Sequence, residues 1–514
     1  MHRTITAQLP HAPFNRRLIV LGLLATALAG CNSSNNDNAP TSTAVATSGT
    51  LLVSRTTYAG VAGTVTVGQT LPGGGTAVAD GGFPEVFKNE TPDPAFGVTS
   101  PIFLDVMNSS GTVQKTIAVD PTQISTSFPS KSELALNQST DGSAVTFMGY
   151  KAAINQLDVS NSNTDQAYDS TNPVSSITQR AVAQLNLKTG NVSITGVNSY
   201  SGNNGRAAVL ANGYYYTVGN AGNGSANGSV LSALSDNTGV QSFLASNTNG
   251  GNTTPVGIQL GTYGSSTGYQ RGFALSQLPD PANPGKNYVD DKTGKDDNFR
   301  GLTVFNNTLF VTKGSGSNGV NTVYQVGATG ALANGGVLSN AQINVLPGFN
   351  ALSEKVAEAK ATLTATPHPF GIWFADANTL FVADEGDGAL IGATGKVTTF
   401  AGLQEWKLSA GKWTLAATFQ KGLLDQAVYT AGLSWNLQTD GLRNLTGQTN
   451  ADGSVTLYAT TSTVSNDGTH DLGADPNQIV SITIGSTSTP ATTSFTVVKA
   501  APAGTRFGGV LLVK

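Results

Sequence analysis

Residues 298–319 read NFRGLTVFNNTLFVTKGSGSNG and contain a complete small unit of β-structure. Two short β-rich runs carry the apolar residues Leu302, Val304, Leu309 and Val311, and the pair Asn306-Asn307 separates the runs. Alternating apolar residues on either side of a two-residue polar turn predict a β-hairpin. An arginine, at position 300, stands just before the first run.

The same arrangement recurs along the chain. Similar arginines precede β-rich runs at Arg206 (NGRAAVL), Arg443 (GLRNLTG) and Arg506 (TRFGGVLLV). First strands beginning near residues 133, 206, 300, 370, 443 and 506 are separated by 73, 94, 70, 73 and 63 residues. Each start is followed by further β-hairpins, and repeats of this size that each form a small sheet are typical of β-propeller blades. The sequence therefore predicts an all-β fold, a single β-propeller with six four-stranded blades.

The two ends of the chain are expected to close the propeller. The C-terminal run TRFGGVLLV is a lone first strand, and residues 50–119 supply the hairpins that would complete its blade. Such closure leaves no sheet edge exposed at the seam. Arg271 in YQRGFAL lies only 29 residues before Arg300, too few for a blade, so we place it inside the third blade. A seven-bladed count starting from Arg271 is the alternative.

Composition agrees with one large secreted β-domain. Charged residues make up only 11% of the chain, and there are 61 glycines, as in turn-rich β-proteins. Hydrophobic residues make up 39%, enough to bury a sizeable core.

The N-terminus carries a lipoprotein-like signal. Arg16-Arg17 precede a short apolar run that ends in Leu28-Ala29-Gly30-Cys31, which resembles the bacterial lipobox residue for residue. The alternative is an ordinary secretory signal with a chance cysteine. We expect a signal peptide at 1–30, a polar flexible tether at 31–48 and the propeller at 49–514.

The lipoprotein-like signal leads to expectations about anchoring, disulfides and charge. Lipidation of Cys31 would attach the mature protein to a membrane. In lipoproteins, an aspartate after the lipidated cysteine is associated with retention in the inner membrane, so Asn32 at this position favours the outer membrane by resemblance. Cys31 is the only cysteine, so no internal disulfide can form. Removal of residues 1–30 moves the net charge from −4 to about −7 with no basic tract, which argues against nucleic acid as a partner.

The motifs FGIWFADANTLFVADE, LQEWKLSAGKWTL, GLRNLTG and TRFGGVLLV together resemble a group of secreted bacterial β-propeller proteins. Several members of that group carry exosortase-type C-terminal sorting tails, whereas we expect a lipobox anchor and no sorting helix here. The resemblance covers most of residues 85–514 and implies the propeller fold without implying an activity.

The repeated cations are the first candidate site. Arg206, Arg300, Arg443 and Arg506 occupy equivalent places at the starts of innermost strands, and His368 takes that place in the blade at 370. Innermost strands line a propeller channel, so these residues could form an anion-attracting ring at its mouth. Alternatively, each could bond carbonyls or an acid of the neighbouring blade and tie the blades together.

Loop carboxylates are the second candidate. Asp296 and Asp297 occur in VDDKTGKDDNF, and Asp384 and Asp387 in ADEGDG, beside innermost strands. Oxygen ligands on loops suit Ca²⁺, although neither stretch has EF-hand spacing. Calcium is the one cofactor the sequence suggests, and a solvated charged loop is the alternative.

Catalytic motifs are weak. Residues 264–268, GSSTG, fit G-x-S-x-G without the helix that a nucleophile elbow requires, and the mature chain has only His368 and His470. We therefore expect a lipid-anchored binding or scaffold module for an envelope protein, a polymer or a small ligand. The alternative is a calcium-dependent propeller hydrolase resembling lactonases, phytases or esterases.

Overall fold

The structure, a computed structural model, describes residues 44–89, 97–130, 133–222, 233–246, 251–261, 269–289, 294–334, 338–355, 366–390, 400–424, 429–467 and 471–514. The signal peptide, Cys31, most of the tether, the 264–268 loop and His470 lie outside these ranges.

Strands dominate the described chain. In order they are β1 (Leu51–Thr57), β2 (Thr99–Ser100), β3 (Ile102–Met107), β4 (Val113–Ala118), β5 (Thr126–Ser127), β6 (Asn137–Gln138), β7 (Ala144–Tyr150), β8 (Ser162–Asn163), β9 (Val174–Ile177), β10 (Arg180–Asn186), β11 (Val192–Val197), β12 (Gly205–Ala211), β13 (Tyr214–Gly219), β14 (Gly239–Leu244), β15 (Thr254–Pro255), β16 (Gln259–Gly261), β17 (Tyr269–Arg271), β18 (Leu302–Phe305), β19 (Thr308–Lys313), β20 (Thr322–Val326), β21 (Ile343–Val345), β22 (Pro369–Asp376), β23 (Thr379–Asp384), β24 (Gly402–Ser409), β25 (Lys412–Phe419), β26 (Leu437–Thr449), β27 (Val455–Ser465), β28 (Gln478–Ile484), β29 (Thr496–Ala500) and β30 (Thr505–Leu512). Short 3-10 helices occur at Glu85–Lys88, Val159–Asn161, Leu275–Gln277, Ala331–Asn334 and Leu472–Ala474. None of the described helices has the length and apolar composition of a membrane span.

Six four-stranded antiparallel sheets form the blades of a β-propeller, which confirms the predicted fold. Blade 1 has the order β30-β1-β3-β4, blade 2 the order β6-β7-β10-β11, and blades 3 to 6 are β12–β15, β18–β21, β22–β25 and β26–β29. Arg271 lies in β17, which pairs with β16 in a two-stranded sheet between blades 3 and 4. The seven-bladed alternative is therefore wrong, and Arg271 follows the third blade rather than lying inside it.

The predicted closure is present in blade 1. Strand β1 pairs with β30 in an antiparallel register that runs from Leu51 opposite Leu512 to Thr57 opposite Thr505. On its other side β1 pairs with β3. The first and last strands of the described chain thus share one sheet, and their pairing closes the propeller at the seam.

Hydroxyl groups join neighbouring blades near the axis. Ser54 Oγ in blade 1 donates to Leu134 O, 2.6 Å away, in the segment that leads into β6. Thr146 Oγ1 in blade 2 donates to Ala208 O at 2.7 Å, and Thr312 Oγ1 in blade 4 donates to Phe370 O at 2.6 Å. In each case a hydroxyl on the second strand of one blade donates to a backbone carbonyl on or just before the inner strand of the next blade. The repeated unit therefore contains the hydrogen bond that joins it to its neighbour.

Inner strands also approach one another too closely for side chains at certain positions. A β-carbon added to Gly371 would lie 2.4 Å from Arg443 O in blade 6. One added to Gly508 would lie 2.4 Å from Leu134 Cβ in blade 2. The absence of side chains at these positions lets the strands converge, and their ends therefore meet around the axis.

Replacement of Gly371 by alanine tests this packing. We expect Gly371→Ala to lower the free energy of unfolding by about 1–3 kcal/mol, since the new methyl overlaps backbone atoms of blade 6. Urea unfolding would measure the change. The matched control is Gly485→Ala, where the added β-carbon meets only Ser454 Cβ at 3.8 Å. Equal stability of the two variants would contradict the close packing.

Candidate functional site

A cavity of about 500 Å³ lies where the inner strands begin. Its wall comes from inner-strand starts and the loops beside them, and its charged residues include Arg206, Arg300, His368, Glu385, Asp440 and Arg443. We call this cavity the mouth. No Phe, Tyr or Trp is among its lining residues in the described chain, and most of these residues are polar or charged.

The structure brings the five predicted cationic residues to one end of the propeller. Arg206, Arg300, His368 and Arg443 line the mouth itself. Arg506 lies just behind the wall, where its Nη1 donates to Phe128 O at 3.2 Å and to the carbonyl oxygen of the mouth residue Ser130.

Blade 2 contributes an acid, Glu133, to the same region, which the search for repeated arginines missed. Glu133 is 2% exposed, and its carboxylate accepts hydrogen bonds from Tyr150 OH and from Thr126 Oγ1, the latter at 2.7 Å. Burial raises the pKa of Glu133, against the lowering effect of these bonds and of the nearby Arg206. The signal was available, because ELALNQ begins blade 2 where the other blades begin with a cation.

Two of the cations serve the structural role that was the alternative interpretation. Arg443 Nε lies 3.1 Å from Glu385 Oε2, and Glu385 follows β23 of the neighbouring blade. Arg506 Nη1 donates to backbone carbonyl oxygens of the segment before blade 2. These contacts tie blades together, as repeated residues commonly do in repeat proteins.

Arg206 and Arg300 lie close enough for their charges to interact. Arg206 is 5% exposed, and burial, followed by repulsion from Arg300, lowers its pKa well below the usual value, although the nearby Glu133 and Glu385 partly oppose this change. Arg300 Nη2 donates to Ser315 Oγ in the mouth loop. Two neighbouring guanidinium groups in the wall of one cavity make a favourable place for an anion.

The opposite part of the wall is acidic, and sequence reasoning missed its main residue. Asp440 is 5% exposed, and its Oδ2 accepts from Gly388 N at 2.9 Å. Burial, together with the neighbouring Asp387, Glu385 and Asp384, raises the pKa of Asp440 to about 8, against the lowering effect of the bond from Gly388. The residue was overlooked because β26 begins at Leu437, six residues before the predicted start at Arg443.

The four acids proposed for calcium do not come together. Asp296 Oδ2 accepts from Leu275 N at 2.7 Å, and Asp387 Oδ1 accepts from Ala389 N at 3.0 Å. Asp384 accepts from His368 N at 2.7 Å and from Gln404 Nε2 at 3.0 Å, while burial raises its pKa to about 6. Burial, then Asp296, raises the pKa of Asp297 well above its usual value. Across the described ranges, no group of three or more His, Cys, Asp or Glu side chains could hold a metal, so calcium is not confirmed.

Comparison with known proteins gives only weak structural likenesses. No protein-family model and no curated protein matches the chain. Similar solved structures include a soluble aldose sugar dehydrogenase from Escherichia coli in its apo form, with 10% identity, a TM-score of 0.32 and coverage of 73% of this chain and 94% of that chain. A polysaccharide lyase of family PL25, an ulvan lyase, has 10% identity, a TM-score of 0.33 and coverage of 80% and 93%. The N-terminal domain of Nup159 has 8% identity, a TM-score of 0.29 and coverage of 77% and 89%. Likenesses this weak support no inference about the activity of this chain.

The titration of Asp440 predicts a pH dependence of stability. Because its pKa is raised in the folded protein, the folded state holds the proton more tightly than the unfolded chain does. The resulting stability is present at low pH and is lost as the pH rises through about 8. We therefore expect Asp440→Asn to raise the melting temperature relative to wild type more at pH 9 than at pH 6.

A thermal melt of both proteins across this pH range would measure the difference. The matched control is Asp452→Asn, because hydrogen bonds from Ser454 lower the pKa of this exposed carboxylate and keep its titration far below this window. A difference between wild type and Asp440→Asn that does not change with pH would contradict the assignment.

Proposed function

We propose that this protein is a lipid-anchored binding module that holds a small hydroxylated anion in the mouth of its propeller. The observation that carries the proposal is the placement of two mutually repelling arginines, Arg206 and Arg300, in the wall of a cavity of about 500 Å³. A negative group between them would offset their repulsion and would accept charge-assisted hydrogen bonds.

The size and polarity of the mouth favour a small ligand over a polymer or a protein surface. A volume of about 500 Å³ lies in the range of ligand pockets. The described lining offers no large aromatic ring on which a planar or apolar ligand could stack. Guanidinium groups match the oxygens of carboxylate and phosphate, so either could be the anionic group.

The acidic part of the wall favours hydroxyl groups elsewhere on the ligand. Asp387 is exposed at the mouth, and Asp440 lies deeper beside it. Carboxylate oxygens such as those of Asp387 accept hydrogen bonds from hydroxyls and repel a second anionic group, and a protonated Asp440 can donate as well as accept. A ligand with its negative group on the Arg206 side and its hydroxyls on the Asp440 side satisfies both parts of the wall.

Binding of matched sugars tests this function. We expect D-glucuronate to raise the melting temperature or to give a measurable isothermal titration, and D-glucose, which lacks the carboxylate, to do neither. Inorganic phosphate would test the alternative anionic group. The Arg300→Gln variant should weaken anion binding at least tenfold, and added salt should weaken binding to wild type.

The control for the arginine is Arg271→Gln, since Arg271 pairs with Asp236 at 2.7 Å and does not line the mouth. This variant should bind as wild type does. Equal loss in both arginine variants, or equal binding of glucose and glucuronate, would refute the anion site.

The anchor is the second part of the proposal. The described chain begins at the end of the propeller opposite the mouth, where Val45 N donates to Leu187 O and Gly49 N donates to Val513 O, both at 2.9 Å. Leu187 directly follows the far end of β10, whose first residue, Arg180, bonds the carbonyls of the mouth residues Ser160 and Asn203. The first described residues therefore lie away from the mouth.

Lipidation of Cys31 and delivery to the outer membrane are tested by two substitutions. Wild-type protein should incorporate labelled palmitate and fractionate with the outer membrane, whereas Cys31→Ser should lose the label. By resemblance to lipoproteins, Asn32→Asp should keep the label and move to the inner-membrane fraction. Wild-type protein without label in the soluble periplasmic fraction would remove the anchor from the proposal and leave the ligand site untouched.

A further inference from the structure

A lysine is completely buried at the end of β19. Lys313 has no exposed surface, although lysine is among the residues least often buried. Its Nζ lies 2.9 Å from Asn321 Oδ1, 3.0 Å from Ser315 O and 3.4 Å from Gly316 O. An amine that could be a nucleophile is thus held against a side-chain amide.

The amide belongs to a residue that is also buried and has an acid on its other side. Asn321 is 2% exposed, and its Nδ2 donates to Glu354 Oε1. The pairing of β19 with β20 places Lys313 opposite Thr322, the residue after Asn321. A second amide, Asn350 Nδ2, donates to Asn321 O at 3.3 Å and helps to fix its backbone. Amine, amide and carboxylate therefore stand in contact in that order.

We propose that Lys313 and Asn321 become joined by an intramolecular isopeptide bond, with Glu354 as the proton carrier. The neutral amine of Lys313 attacks Asn321 Cγ, and a bond forms between Nζ and Cγ. The Glu354 carboxylate takes the proton that Nζ gives up and passes it to Nδ2. The bond between Cγ and Nδ2 then breaks and ammonia leaves. Amine and amide become a secondary amide and ammonia, so no oxidant, reductant or cofactor is needed.

The surroundings favour this reaction in two ways. Burial favours the neutral form of a lysine, which is the nucleophilic form, and fixed contact replaces a bimolecular encounter. Glu354 already touches the leaving nitrogen, which is the position that a general acid requires. Hydrolysis of the product is slow where water is excluded.

The bond would fasten one wall of the mouth. It would close the loop between β19 and β20, whose residues Ser315 and Gly316 line the mouth and whose Ser315 contacts Arg300. Secreted proteins usually fasten such loops with disulfides, but Cys31 is the only cysteine in this chain. An amide crosslink gives a covalent tie without a second thiol.

Peptide mass spectrometry of the full-length protein tests the bond directly. Trypsin cleaves after Arg300, Lys313 and Lys355, so an unmodified chain gives separate peptides for 301–313 and 314–355. With the bond, the lysine is blocked, and one peptide spanning 301–355 appears with a mass lower than its sequence mass by one ammonia. Fragmentation should give no ions from backbone breaks between Lys313 and Asn321. Recovery of the two separate wild-type peptides would overturn the proposal.

Three variants separate the bond from other sources of ammonia loss, such as succinimide formation at asparagine. Asn321→Asp should lose water instead of ammonia in the same peptide, since the leaving group changes. Lys313→Arg and Glu354→Gln should restore cleavage after residue 313, with folding confirmed by circular dichroism. Persistence of the ammonia loss in Lys313→Arg would also refute the assignment. Glucuronate binding is measured independently, so failure here leaves the proposed ligand site standing.

Discussion

The pairing of β1 with β30 is the constraint on which the rest of the structure depends. Blades 3 to 6 are each built from consecutive strands, and blade 2 is interrupted only by β8 and β9, whereas blade 1 requires residues from both ends of the described chain. Hydroxyl bonds such as Ser54 Oγ to Leu134 O reach from a second strand to the next inner strand, so blade 2 is held partly by a residue of β1. Gly508 in β30 packs against the same segment of blade 2. Loss of the pairing between β1 and β30 would therefore remove contacts that hold both blade 1 and blade 2.

Closure also explains why charge accumulates at one end. Inner strands that converge on an axis bring the residues at their starts together, whether or not these residues attract one another. Buried cations are costly unless they are paired or hydrogen-bonded. Arg180 shows one solution, because it is fully buried, lies outside the predicted ring, and donates to the carbonyls of Ser160, Ser162, Thr178 and Asn203. Burial lowers its pKa to about 10, against the raising effect of the nearby Tyr150 and Glu133.

The sequence predicts much of the fold and part of the site, for identifiable reasons. Turn chemistry and alternating residues are local signals, so the hairpin at Asn306-Asn307 and the six repeats can be read directly. The terminal closure follows from counting strands. Asp440 could not be recognised because β26 starts earlier than its pattern indicates, and its raised pKa depends on burial. The sequence pattern presents Asp296 and Asp384 as similar loop acids, but each accepts a hydrogen bond from a backbone N–H, of Leu275 and His368 respectively. These partners are distant in sequence, so residue spacing could not predict them.

The cations behind and around the mouth illustrate different ways to hold a positive charge in a dry protein wall. Arg506 bonds carbonyl oxygens, and Arg443 pairs with a carboxylate of the next blade. Arg206 lies beside Arg300, an arrangement that an anionic ligand would relieve. Lys313 Nζ lies within hydrogen-bonding distance of the Asn321 side-chain amide, and formation of an isopeptide bond would remove the lysine charge permanently. The first two solutions serve the scaffold alone. The arginine pair and Lys313 act on the same wall, because Ser315, in the loop after Lys313, accepts a hydrogen bond from Arg300. A covalently fixed loop would therefore hold the Arg300 guanidinium in place before any ligand binds.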